Sequence, residues 1–231
     1  MVKKGAGDPD GDALIPKHGG YRSLKTFQLA EVIFDVTVLF CGKYIEPGSR
    51  THDQMVQAAR SGRQNIAEAS MDSGTSKKSE LKLTGIARGS LEELRLDFED
   101  FLRQRGLPMW KPDHPALQRF KERRSASLQE FREWVADEWK RQKEEDTDTH
   151  RLTRTDTDEE STPPADSPSG VREGPCQSVS PSVLAANGAL SLLNLCIYLL
   201  ERQMQAQAGA FEREGGFTER LYRRRTHKRR E

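Results

Sequence analysis

Apolar residues recur at intervals of three and four along most of this chain, the spacing that places them on one face of an α-helix. The first such segment covers about residues 23–45 and is followed by the helix-stopping pair Pro47-Gly48. No segment shows the alternation of apolar and polar residues that is typical of a half-buried strand. The pattern therefore predicts an all-α protein.

Two further helices follow after short connections. Thr51 opens the second, with Gln54 at the spacing of a capping box, and Ser73-Gly74 ends it. The third runs from about Ser76 to Arg105, before Gly106 and Pro108. Small residues on the apolar face of the second helix predict a close approach to its neighbour. The central core positions of the third helix are Leu91 and Leu94.

The second half of the chain contains two more helical patterns. One amphipathic helix is predicted over Pro115 to Lys143. The last long helix is predicted to begin at Pro181, directly after Ser180, and to stop at Gly215-Gly216. Its apolar stripe passes through Leu195, which the spacing places at the centre of the core. Cys41 and Cys196 also lie on apolar stripes and are expected in the core.

These elements predict an antiparallel, up-down four-helix bundle with an inserted extra helix and a disordered acidic linker. The linker has ten acidic and five basic residues and almost no apolar ones. The predicted division is a disordered N-terminal tail at 1–20, helices one to three at 21–106, the inserted helix at 107–140, the disordered acidic linker at 141–180, the last bundle helix at 181–216 and a basic C-terminal tail at 217–231.

Charge and composition restrict the location of the protein. Lys and Arg number 37 and Asp and Glu 36, a net charge of +1, which excludes a histone-like chain. The N-terminus has no apolar stretch of a signal peptide, and three scattered cysteines suit a reducing compartment. Residues 174–200 carry no charge, but the polar residues among them favour a buried bundle helix over a membrane span. We therefore expect a cytoplasmic protein without membrane contact.

The sequence contains no motif that is typical of a catalytic site, a cofactor site or a metal site. A di-iron bundle needs Glu-x-x-His pairs on two helices, and none of the five histidines fits that pattern on a core face. There is no nucleophile-elbow motif and no glycine-rich phosphate loop. We therefore expect a non-enzymatic protein without cofactors.

A group of polar residues lies on the second and third helices, which are expected to face each other. It consists of Asn65, Glu68, Ser90 and Glu93, with Arg60 or Arg63 nearby. One interpretation is a buried polar network that fixes packing register or forms a ligand site. The other is surface charge with one or two satisfied buried groups.

The C-terminal tail is the segment that most clearly indicates a binding function. It holds seven basic residues and two Glu, a local charge of +5. The candidate nucleic-acid contacts are Arg220, Arg223, Arg224, Arg225, Lys228, Arg229 and Arg230. Beside Phe217 and Tyr222, such a cluster can hold phosphates and stack a base. The alternatives are a solubilising helix end or pairing with the acidic linker.

Two signatures in the second and third helices resemble a bacterial family of four-helix-bundle proteins typified by the ribosomal-RNA intervening-sequence proteins. They are Gln54, Ala58, Ala59 and Ser61 with Asn65-Ile66-Ala67-Glu68, and then Ile86-Ala87-Arg88-Gly89-Ser90-Leu91-Glu92-Glu93-Leu94. The segments Phe98–Leu107 and Gly215–Tyr222 are similar to a subgroup with a C-terminal four-helix-bundle suffix.

The resemblance implies an oligomer that works with nucleic acid. One relative is the accessory protein of diversity-generating retroelements, a pentameric basic barrel that acts with a reverse transcriptase and RNA. Our leading hypothesis is a non-enzymatic homo-oligomer, pentameric by this resemblance, that contacts RNA or DNA through its arginine-rich surface and tail. The alternative is a protein-binding assembly module or accessory subunit of a mobile element or defence system without nucleic-acid contact.

Overall fold

The computed structural model of this chain describes residues 18–153 and 179–229, and those residues form helices and short connections without any β-strand. After a single 3₁₀ turn at Tyr21–Ser23 they contain seven α-helices. These are α1 (Lys25–Tyr44), α2 (Arg50–Asp72), α3 (Lys77–Gln104), α4 (Pro115–Arg123), α5 (Leu128–Thr153), α6 (Pro181–Glu214) and α7 (Phe217–Lys228).

Four of these helices, α1, α2, α3 and α6, close into a bundle in which each packs against two others. The direction of α6 follows from two hydrogen bonds. Near its start, Asn187 Nδ2 donates to Pro108 O just beyond the end of α3, at 3.0 Å. Further along, Gln207 Nε2 donates to Glu80 Oε1 at the start of α3, at 3.1 Å. The two helices are therefore antiparallel, and the predicted all-α helical bundle is confirmed.

The α2–α3 pair is closely packed through a glycine. A Cβ atom at Gly62 would lie 2.6 Å from Leu91 Cδ2, so no larger residue fits there without movement. Leu91 and Leu94 are fully buried, as the helical spacing predicted. Cys41 and Cys196 are also buried in the core, as expected.

The prediction for Leu195 is wrong. Its side chain is 47 % exposed, whereas Leu192, Leu193 and Cys196 are buried. The α6 helix is apolar on nearly all sides, so its apolar spacing does not identify the buried face. The packing of α1 and α3 against it decides which leucines are covered.

The single inserted helix that the pattern predicts is two helices, α4 and α5. The break falls at Arg124, whose φ of 50° lies in the left-handed region and cannot continue a helix. The two helices form a hairpin joined by Arg119 and Glu138, whose side chains form a bidentate ion pair at 2.6 and 2.7 Å. Glu138 is 2 % exposed, so this pair lies between the helices.

The boundaries of the predicted linker also change. Since α5 continues to Thr153, helix occupies the first part of the segment 141–180 that was predicted to be disordered. The remaining linker, residues 154–178, and the predicted N-terminal tail up to residue 17 lie outside the described residues.

The most apolar helical stretch is mostly covered by protein. The segment Pro181–His227 contains an 18-residue window of mean hydropathy 1.9, which is long and apolar enough to cross a membrane. Seventy-two per cent of that window is buried inside the bundle. Asn187 lies within α6 with its amide hydrogen-bonded to Pro108 O, Val183 O and Trp110 N. This burial fits a core helix of a soluble bundle.

Candidate nucleic-acid interface

The predicted basic tail is a helix, α7, set off from α6 by a two-glycine turn. Gly215 has a φ of 73°, a left-handed conformation that favours glycine. A Cβ atom there would also collide with the carboxylate of Glu219. That carboxylate accepts a hydrogen bond from the Gly216 N–H, so it covers an open donor at the start of α7. The glycines therefore define where α7 leaves the bundle.

Arg220 turns towards the bundle. Its Nη2 donates to the Gly74 carbonyl in the α2–α3 connection, at 3.4 Å, and its Nε is buried without a hydrogen-bond partner among the described residues. This geometry differs from the predicted role of Arg220 as a phosphate contact. In the structure Arg220 holds α7 against the end of the bundle.

The opposite face of α7 carries exposed cations beside an aromatic ring. Tyr222, Arg225 and Arg229 are spaced by three and four residues, which places them on one helix face. Tyr222 is 71 % exposed, and both arginines are exposed. Arg223 and Arg224 are also exposed, on the flanks of α7 nearer to Arg220. The side chain of Lys228 and the whole of Arg230 lie outside the described residues.

The α7 surface suits phosphate binding because its charge is nearly all positive. Residues 217–229 contain six Lys or Arg and one acidic residue, Glu219, a net charge of +5. Glu219 lies in the first turn, away from Arg225 and Arg229. Exposed guanidinium groups bind phosphate oxygens, and a neighbouring ring stacks on unpaired bases. Chemically, this surface can hold the backbone of a nucleic acid.

The four-residue polar network predicted between the second and third helices forms only in part. Ser61 Oγ and Ser90 Oγ lie 3.0 Å apart across the two helices. Asn65 Nδ2 donates to Ser61 O at 2.9 Å and to Ser61 Oγ at 3.1 Å. Glu68 and Glu93 are exposed. The cluster is a small hydrogen-bonded contact that fixes α2 against α3, with its two carboxylates in solvent.

A groove beside this cluster has the opposite charge to α7. It has a volume of about 600 Å³ and its lining includes Asp53, Glu93 and Asp97. Burial, then the nearby charges of Asp100 and Glu93, raises the pKa of Asp97. No group of His, Cys, Asp and Glu in the described residues has the arrangement of a metal site. Since Arg50 is the single cation in the lining, the groove has a net negative charge and repels phosphate.

The two described cysteines behave as core residues. Burial raises the pKa of Cys196 to about 12. Burial, followed by the charge of Asp97, raises the pKa of Cys41 to about 12 as well. The thiolate is the nucleophilic form of cysteine, so both side chains are poor nucleophiles near neutral pH.

Comparison with models of protein families, with curated proteins and with solved structures finds no match for this chain. The resemblance to the intervening-sequence family rests on the quoted residues and stays a prediction. The bundle and the exposed cationic face of α7 are therefore the basis for a functional conclusion.

Proposed function

We propose that this protein binds nucleic acid through α7 and catalyses no reaction. The observation that carries the proposal is the outward stripe of Tyr222, Arg225 and Arg229 on a helix of net charge +5. Contacts of this kind follow the phosphate backbone and contribute affinity without reading sequence. We therefore propose RNA or DNA as the partner, with a preference for single strands because Tyr222 can stack on unpaired bases.

The bundle would present α7 as part of a cytoplasmic homo-oligomer. One α7 offers few phosphate contacts, so a single copy binds weakly. Several copies of α7 on one assembly would bind the same strand. Once one copy is bound, the others are held near the strand at a high effective concentration, and this raises the overall affinity. The pentamer implied by the family resemblance is one such assembly.

The decisive experiment measures binding of labelled single-stranded RNA and of duplex DNA by fluorescence anisotropy. The full chain is titrated at several salt concentrations between about 50 and 200 mM. The test variant replaces Arg223, Arg225 and Arg229 by Gln. Each lost phosphate contact should reduce the slope of log affinity against log salt by about 0.7 to 0.9, so loss of all three contacts should reduce the slope by about 2 to 3.

A matched control separates α7 from total charge. Arg50, Arg60 and Arg132 are exposed on α2 and α5, and replacing them by Gln removes the same charge. The control should bind nearly as the parent does. If the α7 variant and the control weaken nucleic-acid binding equally, the effect is due to net charge alone. Absence of binding at about 50 mM salt would reject the nucleic-acid function and favour a protein-assembly role.

The role of Tyr222 has its own test. Replacing Tyr222 by Ala should weaken binding of single-stranded RNA by about tenfold, because base stacking on an aromatic ring contributes ~1–3 kcal/mol. Duplex DNA should be affected much less, since its bases are already stacked. An equal loss for both nucleic acids would show that the ring has no stacking role.

A further inference from the structure

A cavity of about 950 Å³ lies between α1, α6 and the α4–α5 hairpin. Its walls are mainly apolar and include Leu29, Phe120, Leu128, Leu195 and Leu199. This volume is at the upper end of the ~300–1,000 Å³ typical of small-molecule sites. Leu195 is 47 % exposed because its side chain lines this cavity and does not point into the core of the bundle. The cavity is separate from α7.

The loop between α4 and α5 forms one wall, and it contains one residue with an unusual backbone conformation and one buried hydroxyl without a partner. Arg124 adopts a left-handed conformation that residues other than glycine rarely take, and its side chain is exposed, where it can reach a ligand. Ser125 is only 6 % exposed, yet its hydroxyl has no partner among the described residues. Backbone strain of this kind clusters at ligand sites, and a buried unpaired hydroxyl is unusual.

The charged residues around the cavity indicate at which end an anionic group would bind. Lys121 and Arg124, one turn apart, line the cavity at the hairpin. Lys121 Nζ donates to a neutral group, the Pro112 carbonyl, at 2.6 Å. The α1 wall contributes one cation, Lys25, and two carboxylates, Glu31 and Asp35, and so has a net charge of −1. An anionic group is therefore favoured at the hairpin loop, where both charged lining residues are cations, over the α1 wall.

We propose that this cavity binds an amphiphile with a long aliphatic chain and an anionic oxygen head group, a carboxylate or a phosphate monoester. The head group lies at the hairpin loop, where it accepts hydrogen bonds from Arg124 and, after a local shift of the loop that uncovers it, from the buried hydroxyl of Ser125. The chain lies along the apolar wall of α6, against Leu195 and Leu199. This ligand satisfies the buried hydroxyl and covers exposed apolar surface at the same time.

The test uses three probes with the same twelve-carbon chain: dodecanoate, dodecyl phosphate and dodecyltrimethylammonium, each below its micelle concentration. Binding is followed with the full chain by calorimetry and by tryptophan fluorescence, because Trp110 lines the cavity. The two anions should bind, and the cation should bind at least about tenfold more weakly. The ratio of the two anion affinities distinguishes a carboxylate site from a phosphate site.

Three variants locate the two parts of the ligand. Arg124→Gly fits the left-handed backbone and should keep or raise the melting temperature while weakening the anions about tenfold. Ser125→Ala should leave stability unchanged, since its hydroxyl is unpaired, and weaken the anions severalfold. Leu195→Gln should weaken all three probes, whereas Leu96→Gln, at a 52 % exposed position on α3, should weaken none.

Results of two kinds would overturn the proposal. Equal binding of the anionic and cationic probes, or unchanged anion binding in both Arg124→Gly and Ser125→Ala, would remove the head-group site from the loop. No saturable binding of any probe, or equal effects of Leu195→Gln and Leu96→Gln, would remove the ligand from the cavity. Neither result depends on whether α7 binds nucleic acid.

Discussion

The indole ring of Trp134 occupies the space that a side chain at position 188 would need. Its Cζ3 lies 2.6 Å from the place where a Cβ atom of Gly188 would be, and Phe131 Cε2 lies 2.9 Å from the same point. Gly188 belongs to α6 and Trp134 to α5, so this contact joins the hairpin to the bundle. The glycine allows two aromatic rings to pack directly on the backbone of the central helix.

We predict that Gly188→Ala destabilises the protein by about 1–2 kcal/mol. Overpacking of a core costs ~1–3 kcal/mol, and the better helix propensity of alanine offsets about 1 kcal/mol at most. Urea unfolding, followed by circular dichroism, measures the difference.

The matched control is Gly89→Ala. Gly89 also lies inside a helix, but apart from the adjacent backbone of that helix no atom comes within 4 Å of a Cβ atom placed there. Alanine should therefore stabilise the protein by about 0.5–1 kcal/mol. If both substitutions stabilise equally, Trp134 does not pack on α6 in solution.

Two leucines with the same apolar character should respond differently to truncation. Leu94 is fully buried and Leu195 is 47 % exposed. Leu94→Ala should cost ~2–5 kcal/mol, since the loss of apolar contact is accompanied by a cavity. Leu195→Ala should cost less than about 1 kcal/mol, because its site is already open. Similar unfolding midpoints for the two variants would contradict the assigned orientation of α6.

The stability of the hairpin should depend on pH through His114. Its Nδ1 accepts a hydrogen bond from the Ala116 N–H at the start of α4, at 3.3 Å, and the ring stacks on Trp110. Burial, followed by the charge of Arg119, lowers the pKa of His114 in the fold, although Glu138 and Asp113 act in the opposite direction. The folded protein therefore favours the neutral ring, which is the form that can accept this bond.

The direction of the pH effect follows from the lowered pKa. The unfolded chain takes up a proton near pH 6.5, before the folded protein does. Stability is complete above about pH 6.5 and decreases as the pH falls towards the folded-state pKa. His114→Asn keeps a capping acceptor and removes the titration, so its urea midpoint should change less between about pH 7 and pH 5. Parallel profiles for the two proteins would exclude this role.

Cysteine labelling should report unfolding. Cys41 Sγ lies 3.8 Å from Met55 Sδ, and Cys196 Sγ donates to Thr26 O at 3.5 Å, both inside the bundle. With the pKa of each thiol raised to about 12, neither should react readily with Ellman's reagent in the native protein. The measurement uses a Cys176→Ser background and follows the labelling rate against urea. Fast labelling of two thiols without urea would contradict the burial of these cysteines.

Several local features of the fold could be predicted because they depend on residues close in sequence. Gly106 and Gly215 were expected to stop helices, and both have the positive φ values that favour glycine. Ser76 was expected near the start of a helix, and its side chain caps α3 by accepting from the Ser79 N–H. The second helix begins slightly earlier than expected. Ser49 is its cap, and α2 starts at Arg50.

The candidate surfaces were less predictable. The basic composition of the C-terminal segment was evident, but the inward position of Arg220 depends on Gly74, a residue far away in the chain. The cavity beside the hairpin has no sequence signature, since its lining comes from four helices and the loop at Arg124 contains neither glycine nor proline. The local signal for the break is Ser127 with Glu130 three residues later, the spacing of a capping box, and Ser127 Oγ accepts from the Glu130 N–H at 3.3 Å.

The sequence by itself determined that this protein is helical, because the three-to-four spacing of apolar residues and the helix stops are set by neighbours along the chain. Only the tertiary structure decided which face of α6 is buried, how Trp134 packs on Gly188 and which arginines of α7 meet solvent. The physical reason is that the α6 helix is apolar on nearly every side and the α7 helix is cationic on nearly every side. In both helices composition leaves the orientation open, and packing against distant segments selects it.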